Sequence, residues 1–286
     1  MTTTAPRIVV AIGHEPADSA LAYAVEQAQR LGAVLHIVHV EQIVVGGPDA
    51  MVLSQLDVER IGRRNVEDAV AKVKELAPDL EVKVEVFVGG VVPTVVDVSE
   101  GAELVVLEHR ALPRWERLIT RSVASGVASR TTSPAVSVPE GWTPPDGPEA
   151  VTVGVDVPER STGVIRAAAE QARQRGATLR VVHCWNLPPS YEGMVTREEA
   201  MRWTGRSETE VREAVAAVPE ADGLHVEVEV RHGRPADELL DVAKASTLMV
   251  LGRHDSLIPF GSHLGPVVRA VLRSATAPVL IVDPRN

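Results

Sequence analysis

The sequence predicts an α/β protein built as two tandem five-stranded, mostly parallel, doubly wound sheets. Three observations carry this. First, the chain repeats itself: Gly32 and Gly176, His39 and His183, Gly89 and Gly233, Asp97 and Asp241, and Pro134 and Pro278 are each separated by 144 residues (89 to 233, for example), as are Glu26-Gln27-Ala28 and Glu170-Gln171-Ala172. A displacement that long duplicates a whole domain. Second, each copy alternates short apolar runs with segments of helical periodicity, the pattern of strands joined by crossover helices. Third, one run per copy, 104–107 and 248–251, is apolar without interruption, as a strand covered on both faces must be.

At 286 residues the chain is long enough for two separate cores. The expected boundaries are a first domain over 1–140, a linker over 141–149 stiffened by Pro144, Pro145 and Pro148, and a second domain over 150–286.

Each copy opens with a strand, 8–12 and 151–155. A helix follows, with Leu21, Val25 and Ala28 on one stripe in the first copy and Val164, Ala168 and Ala172 in the second. Gly32 and Gly176 stand where left-handed C-caps are expected. Second strands cover 34–40 and 179–184. The longest helices follow, carrying Val66, Val70 and Val73 in one copy and Val211, Val215 and Val218 in the other. Thr196 and Glu199 have capping-box spacing at the start of the second, and Pro78 and Pro219 mark the ends. Third strands, 82–88 and 224–230, alternate valines or leucine with charged or bulky residues, which suits an edge strand. A short helix then leads to the apolar fourth strand, and a last helix to a fifth, 135–138 and 279–282.

Composition removes several function classes. A net charge of -10 argues against nucleic acid and against an anionic membrane surface as partners, and aromatic residues at 3% leave no material for base-stacking platforms. Cys184 is the only cysteine, which excludes an internal disulfide and a cysteine-cluster zinc site and fits a reducing compartment. With no signal-like start and no apolar run of spanning length, the expected location is the cytoplasm.

Chemistry concentrates at 248–282. The apolar run ends at Gly252, and helical spacing resumes after Gly265-Pro266 with Val267, Val268, Val271 and Leu272. A strand passing through a glycine-containing loop into a helix exposes amides to which an anion binds. Gly252 and Gly265 would allow backbone to approach phosphates, though each serves equally well as a turn glycine. Arg253 and His254 bring positive charge to offset Asp255, while Pro266 removes one amide. Asp156, at the end of the second copy's first strand, is a candidate ligand or a plain loop aspartate.

These residues resemble the nucleotide loop of the universal stress protein family, Gly-x2-Gly-x9-Gly-(Ser/Thr) followed by a helix and a Pro-Val-Leu-Ile-Val strand. Gly252 takes the first glycine and Gly265 the last; Asp255 stands at the second and Pro266 at the Ser/Thr. The run from Val151 to Asp156 resembles the family's Gly-Val-Asp-Gly-Ser opening. The resemblance implies a fold related to the adenine nucleotide alpha hydrolases with strand order 3-2-1-4-5. It also implies a cytoplasmic homodimer of the stress response, with a further protein partner, that is regulatory and not an enzyme. The ligand implied is ATP or AMP, with Mg accompanying ATP, in the second domain. Asp156, the backbone of Val182 or its neighbour Val181 where strand two ends, Gly252, Arg253, His254, Gly265 and Val267 would hold it. In the first copy Ile12 or Gly13 stands at the aspartate position, Glu108 and Ala111 at the first two glycines, and Arg121 before Ser122 at the last, so that site is degenerate. The alternative is a dimeric interaction protein that binds no nucleotide, both sites being degenerate, and Asp255 and Pro266 favour it.

No Gly-x-Ser-x-Gly elbow, Gly-x4-Gly-Lys-(Ser/Thr) loop or Gly-x-Gly-x-x-Gly turn occurs, and no catalytic residue is assigned. Among nine histidines, His36 and His39 point to opposite faces of one strand and cannot share an ion. His39 and His183 read as structural, and His254 and His263 flank the loop without a carboxylate at metal-site spacing. No metal site is expected.

Overall fold

Parallel hydrogen bonding organises each half of the chain in the same way. In this computed structural model residues 5–41, 55–109, 123–253 and 264–283 are described. The chain divides into two compact units, Met1–Thr143 and Pro144–Asn286. The first runs β1 (Arg7–Ile12), α1 (Asp18–Leu31), β2 (Val34–Glu41), α2 (Gln55–Leu76), β3 (Val82–Val88), α3 (Val91–Val98), β4 (Leu104–His109), α4 (Val123–Ala128) and β5 (Ala135–Pro139). The second runs β6 (Ala150–Val155), α5 (Thr162–Arg175), β7 (Thr178–Trp185), α6 (Pro189–Glu192), α7 (Arg197–Ala216), β8 (Val226–His232), α8 (Pro235–Ala243), β9 (Leu248–Gly252), α9 (Pro266–Ser274) and β10 (Val279–Val282).

Within the first unit the strand order is β3-β2-β1-β4-β5, and within the second β8-β7-β6-β9-β10, all pairs parallel. This is the doubly wound 3-2-1-4-5 order that the resemblance implies. The order reverses between β1 and β4 and between β6 and β9, and such a reversal leaves a crevice beyond the carboxyl ends of the two strands.

The elements form for local reasons. Leu21, Val25 and Ala28 of α1 are buried on one stripe, as are Val164, Ala168 and Ala172 of α5. Both helices end in left-handed glycines, Gly32 at φ 59° and Gly176 at φ 62°, a conformation that a Cβ would disfavour. The capping box of α7 is complete: Thr196 Oγ1 accepts from the Glu199 amide at 3.2 Å, and the Glu199 carboxylate accepts from the Thr196 amide at 2.9 Å. Residues of the central strands, among them Val9, Val10, Val105, Val106, Val153, Leu248 and Val250, are inaccessible to solvent.

The third strands are edges, with differences from the sequence pattern. Val84 and Val88 of β3 are exposed, so its valine row is only partly covered. β8 starts at Val226, two residues later than the alternation suggests. A single 3-10 turn, Pro219–Ala221, and a left-handed Gly223 at φ 77° occupy the preceding residues, and the Leu224 amide donates back to Ala221. Along β8, Glu227 and Glu229 flank Arg180 of β7 at 3.1 and 3.2 Å, and Arg231 reaches Glu229 at 3.0 Å. No helix among the described residues is long and apolar enough to cross a membrane.

Candidate functional site

The reversal point of the second unit brings two of the candidate positions together. β6 pairs with β9 from Val151 opposite Leu248 to Val153 opposite Val250, so Val155 and Gly252 emerge as neighbouring strand ends. Asp156, exposed, comes next in the chain. Gly154 leaves room for two leucine side chains on that face of the sheet: a Cβ there would stand 2.6 Å from Leu251 Cδ2 and 3.2 Å from Leu239 Cδ2, a methyl of α8. The end of β6 is also tied to β7, since His183 Nδ1 lies 3.0 Å from the Val155 carbonyl, which makes Nδ1 the protonated nitrogen.

Gly252 closes the β9 ladder opposite Val282. The Arg253 amide donates to the Val282 carbonyl at 2.9 Å, and its half-buried guanidinium has its pKa lowered by burial, with nearby Asp283 acting in the opposite direction. α9 begins at Gly265, an extended N-cap with φ -64° and ψ 166°, and Pro266 occupies its first turn. The first i→i−4 bond of the helix runs from the Arg269 amide to the Gly265 carbonyl at 3.1 Å, so the amides of Val267 and Val268 precede the ladder. His254, Asp255, Gly261, Ser262 and His263 lie outside the described residues.

Val182 is placed on the second strand of this unit, as the sequence suggests. It is buried within the sheet, opposite Gly154 on one side and Glu229 on the other, and β7 continues for three more residues to Trp185. The carboxyl end of β7 is therefore Cys184 and Trp185. The Trp185 ring stacks on His232 at 4.0 Å, meets Trp203 edge-on at 5.6 Å, and donates from Nε1 to Thr204 Oγ1 at 3.2 Å. Burial pushes the Cys184 thiol up to about 11, with Glu238 adding to the shift and Arg231 opposing it.

The first unit repeats the histidine latch but surrounds it differently. His39 Nδ1 lies 3.1 Å from the Ile12 carbonyl. Two residues on, where the second unit has Trp185, stands Glu41. Its carboxylate, almost fully buried, lies 2.8 Å from His39 Nε2 and 3.5 Å from Nε2 of the exposed His14. The His14 and His39 rings meet edge-on at 5.4 Å. Sequence reasoning weighed His39 against His36 and missed this group. His36 does face the other side of the sheet, where Nδ1 is 3.4 Å from Arg7 and Nε2 is 3.1 Å from Glu85 in a contact too bent for a hydrogen bond. The available signal was His39 and Glu41 at i and i+2 on one strand face, with His14 just beyond the adjacent strand. Of the altered nucleotide positions, Glu108 is half-buried in β4, and Ala111, Arg121 and Ser122 lie outside the described residues.

Comparison with known proteins agrees with this architecture. The sequence profile of the Universal stress protein family matches twice, over residues 5–139 and 149–283. A universal stress protein of Mycobacterium tuberculosis is 25% identical over 297 residues, which cover 96% of this chain and 94% of that protein. A second from the same organism is 31% identical over 231 residues, covering 77% and 76%. A solved universal stress protein from Archaeoglobus fulgidus superposes with a TM-score of 0.70 at 15% identity, covering 97% of this chain and 96% of that one, a likeness of fold. The profile takes in both copies and most of the chain, and the protein accordingly belongs to the Universal stress protein family as a tandem of two domains.

Proposed function

We propose that the second domain binds an adenine nucleotide, ATP or AMP, and that the protein acts by binding and not by catalysis. The observation that carries this reading is the reversal point itself: β6 and β9 end side by side, with Asp156 after one and Gly252 closing the other. In the proposed arrangement Asp156 takes the nucleoside and the base lies against the backbone of Val182, or of its neighbour Val181, in β7. The phosphates lie along Gly252, Arg253, His254 and the amides of Gly265 and Val267 at the head of α9. Mg accompanies ATP, and Arg253 supplies charge on the protein side. The proposed role is regulatory, in a cytoplasmic homodimer that answers to a protein partner.

Isothermal titration of the full chain with ATP and with AMP tests this. Saturable binding that weakens in Asp156→Ala supports it, and no heat at millimolar nucleotide overturns it.

One observation favours a second reading. Pro266 at the first position of α9 deletes an amide where an anion would be held. In that reading both sites are degenerate and the chain works as a dimeric interaction protein. Mass spectrometry of gently purified protein separates the two, because a co-purified nucleotide rules the second out.

A further inference from the structure

We propose that the first domain holds one divalent cation of the zinc class at the carboxyl ends of β1 and β2, bound by His39 Nε2, His14 Nε2 and the Glu41 carboxylate. The three ligand atoms lie within 4.8 Å of one another.

The proton count at His39 comes first. Nδ1 faces a carbonyl oxygen, Ile12 O at 3.1 Å, and a carbonyl only accepts, so Nδ1 carries the hydrogen. In a neutral ring Nε2 is then a lone pair, and it points at Glu41 Oε1 from 2.8 Å. A nitrogen lone pair and a carboxylate oxygen at that distance repel unless a proton or a metal ion lies between them, and His14 Nε2 beside the same carboxylate makes the group a candidate metal-binding set. Glu41 is only 5% exposed, and a buried carboxylate needs such a partner in any case. A metal ion satisfies both groups with the imidazole neutral, and a ring nitrogen donating to a backbone carbonyl is the usual support of a metal-bound histidine.

The geometry and donor set fit. Zinc bonds of about 2.0–2.1 Å in a tetrahedron place ligands roughly 3.3 Å apart. His39 Nε2 lies 2.8 Å from Glu41 Oε1 and His14 Nε2 lies 3.5 Å from Glu41 Oε2, so the two imidazoles face the two oxygens of one carboxylate, and small side-chain adjustments bring one oxygen and both nitrogens to that spacing. Two imidazoles and one carboxylate suit zinc, cobalt or nickel, whereas magnesium and calcium favour all-oxygen shells. His14 is exposed and borders a cleft of about 100 Å³ lined also by Glu15, Asn65 and Asp68, leaving room for a water or small anion at a fourth position. Asn65 Nδ2 is buried and has no hydrogen-bond partner among the described residues, so it is a donor available there.

Comparison with the second domain indicates that the group exceeds what the fold requires. The second domain makes the same latch, His183 to Val155, with Trp185 at the glutamate position, so a strand-end histidine needs neither Glu41 nor His14. In the first domain α2 is seated against the pair through Gly62, where a Cβ would stand 3.1 Å from His39 Cδ2 and 3.2 Å from Glu41 Cγ.

Titration of tag-free, EDTA-stripped full-length protein with Co2+, read by the visible absorption of tetrahedral cobalt and followed by displacement with Zn2+, tests the proposal. The expected result is one equivalent bound. In His14→Ala, an exposed change that leaves the core intact, affinity falls by more than the roughly 10- to 100-fold that loss of an outer-shell partner brings. Glu41→Gln shows the same loss, and circular dichroism verifies that both variants are folded. Absence of saturable binding by the unsubstituted protein overturns the proposal. So does unchanged affinity in both variants, which would place the cation on other histidines.

Discussion

His183 donates from Nδ1 to the carbonyl oxygen of Val155 across 3.0 Å, fixing the last residue of β6 one position before Asp156. In His183→Ala the carbonyl loses its side-chain donor beside a buried strand end, and the expected destabilisation is about 1–3 kcal/mol. Urea unfolding measures it. A midpoint unchanged from the parent would mean that water replaces the imidazole without loss.

His36 gives the fold a pH dependence. It is fully buried, and burial is the main cause lowering its pKa below 6.5; Lys83 and Arg7 act in the same direction and Glu85 against them. The unfolded chain therefore takes up a proton near pH 6.5 that the native chain refuses until a lower pH. Stability is fully present above about pH 6.5, falls as pH drops below it, and levels off beneath the native pKa. Denaturation midpoints of the parent and His36→Leu measured between about pH 8 and pH 5 should diverge in slope. Parallel curves would contradict this.

Two glycines predict opposite signs for the same substitution. Gly154→Ala drives a methyl toward Leu251 and Leu239 and is expected to cost about 1–3 kcal/mol by overpacking, with weaker nucleotide binding if the proposed site is correct. Gly205→Ala, in α7 with nothing within 4 Å of the new methyl, should stabilise by roughly 0.5–1 kcal/mol. Thermal melts of the two variants decide; a shift in the same direction for both would refute the packing account.

Cys184 is expected to be a poor nucleophile. A thiol moved from 9.0 to about 11 holds roughly 100-fold less thiolate at pH 8 than an unperturbed one. Alkylation by iodoacetamide should therefore run about 100-fold slower in the native protein than in urea. Equal rates would show that the native thiol is neither shielded nor shifted.

The fold was legible because its signals are local. Gly32 and Gly176 mark helix ends by backbone conformation, Thr196 and Glu199 mark a helix start by spacing, and the uninterrupted runs of β4 and β9 identify central strands by burial on two faces. The candidate site was legible only in part. Asp156 and Gly252 are brought together by strand order, which the repeat and the resemblance supplied, and Val182 is buried within β7 as an apolar strand residue should be. The grouping of His14, His39 and Glu41 was hidden, since it depends on two strand ends meeting in space. Likewise the late start of β8 comes from a turn around Gly223 that hydrophobic alternation does not record.

The row of Glu227, Glu229 and Arg231 has a consequence for crowded protein. Among the described residues β8 has a neighbouring strand, β7, on one side only, and its other flank is a sheet edge that a passing chain could approach. An incoming strand would have to strip water from these interlocked charges before it could zip alongside, so the margin of the sheet acts as a fence against amyloid-like growth.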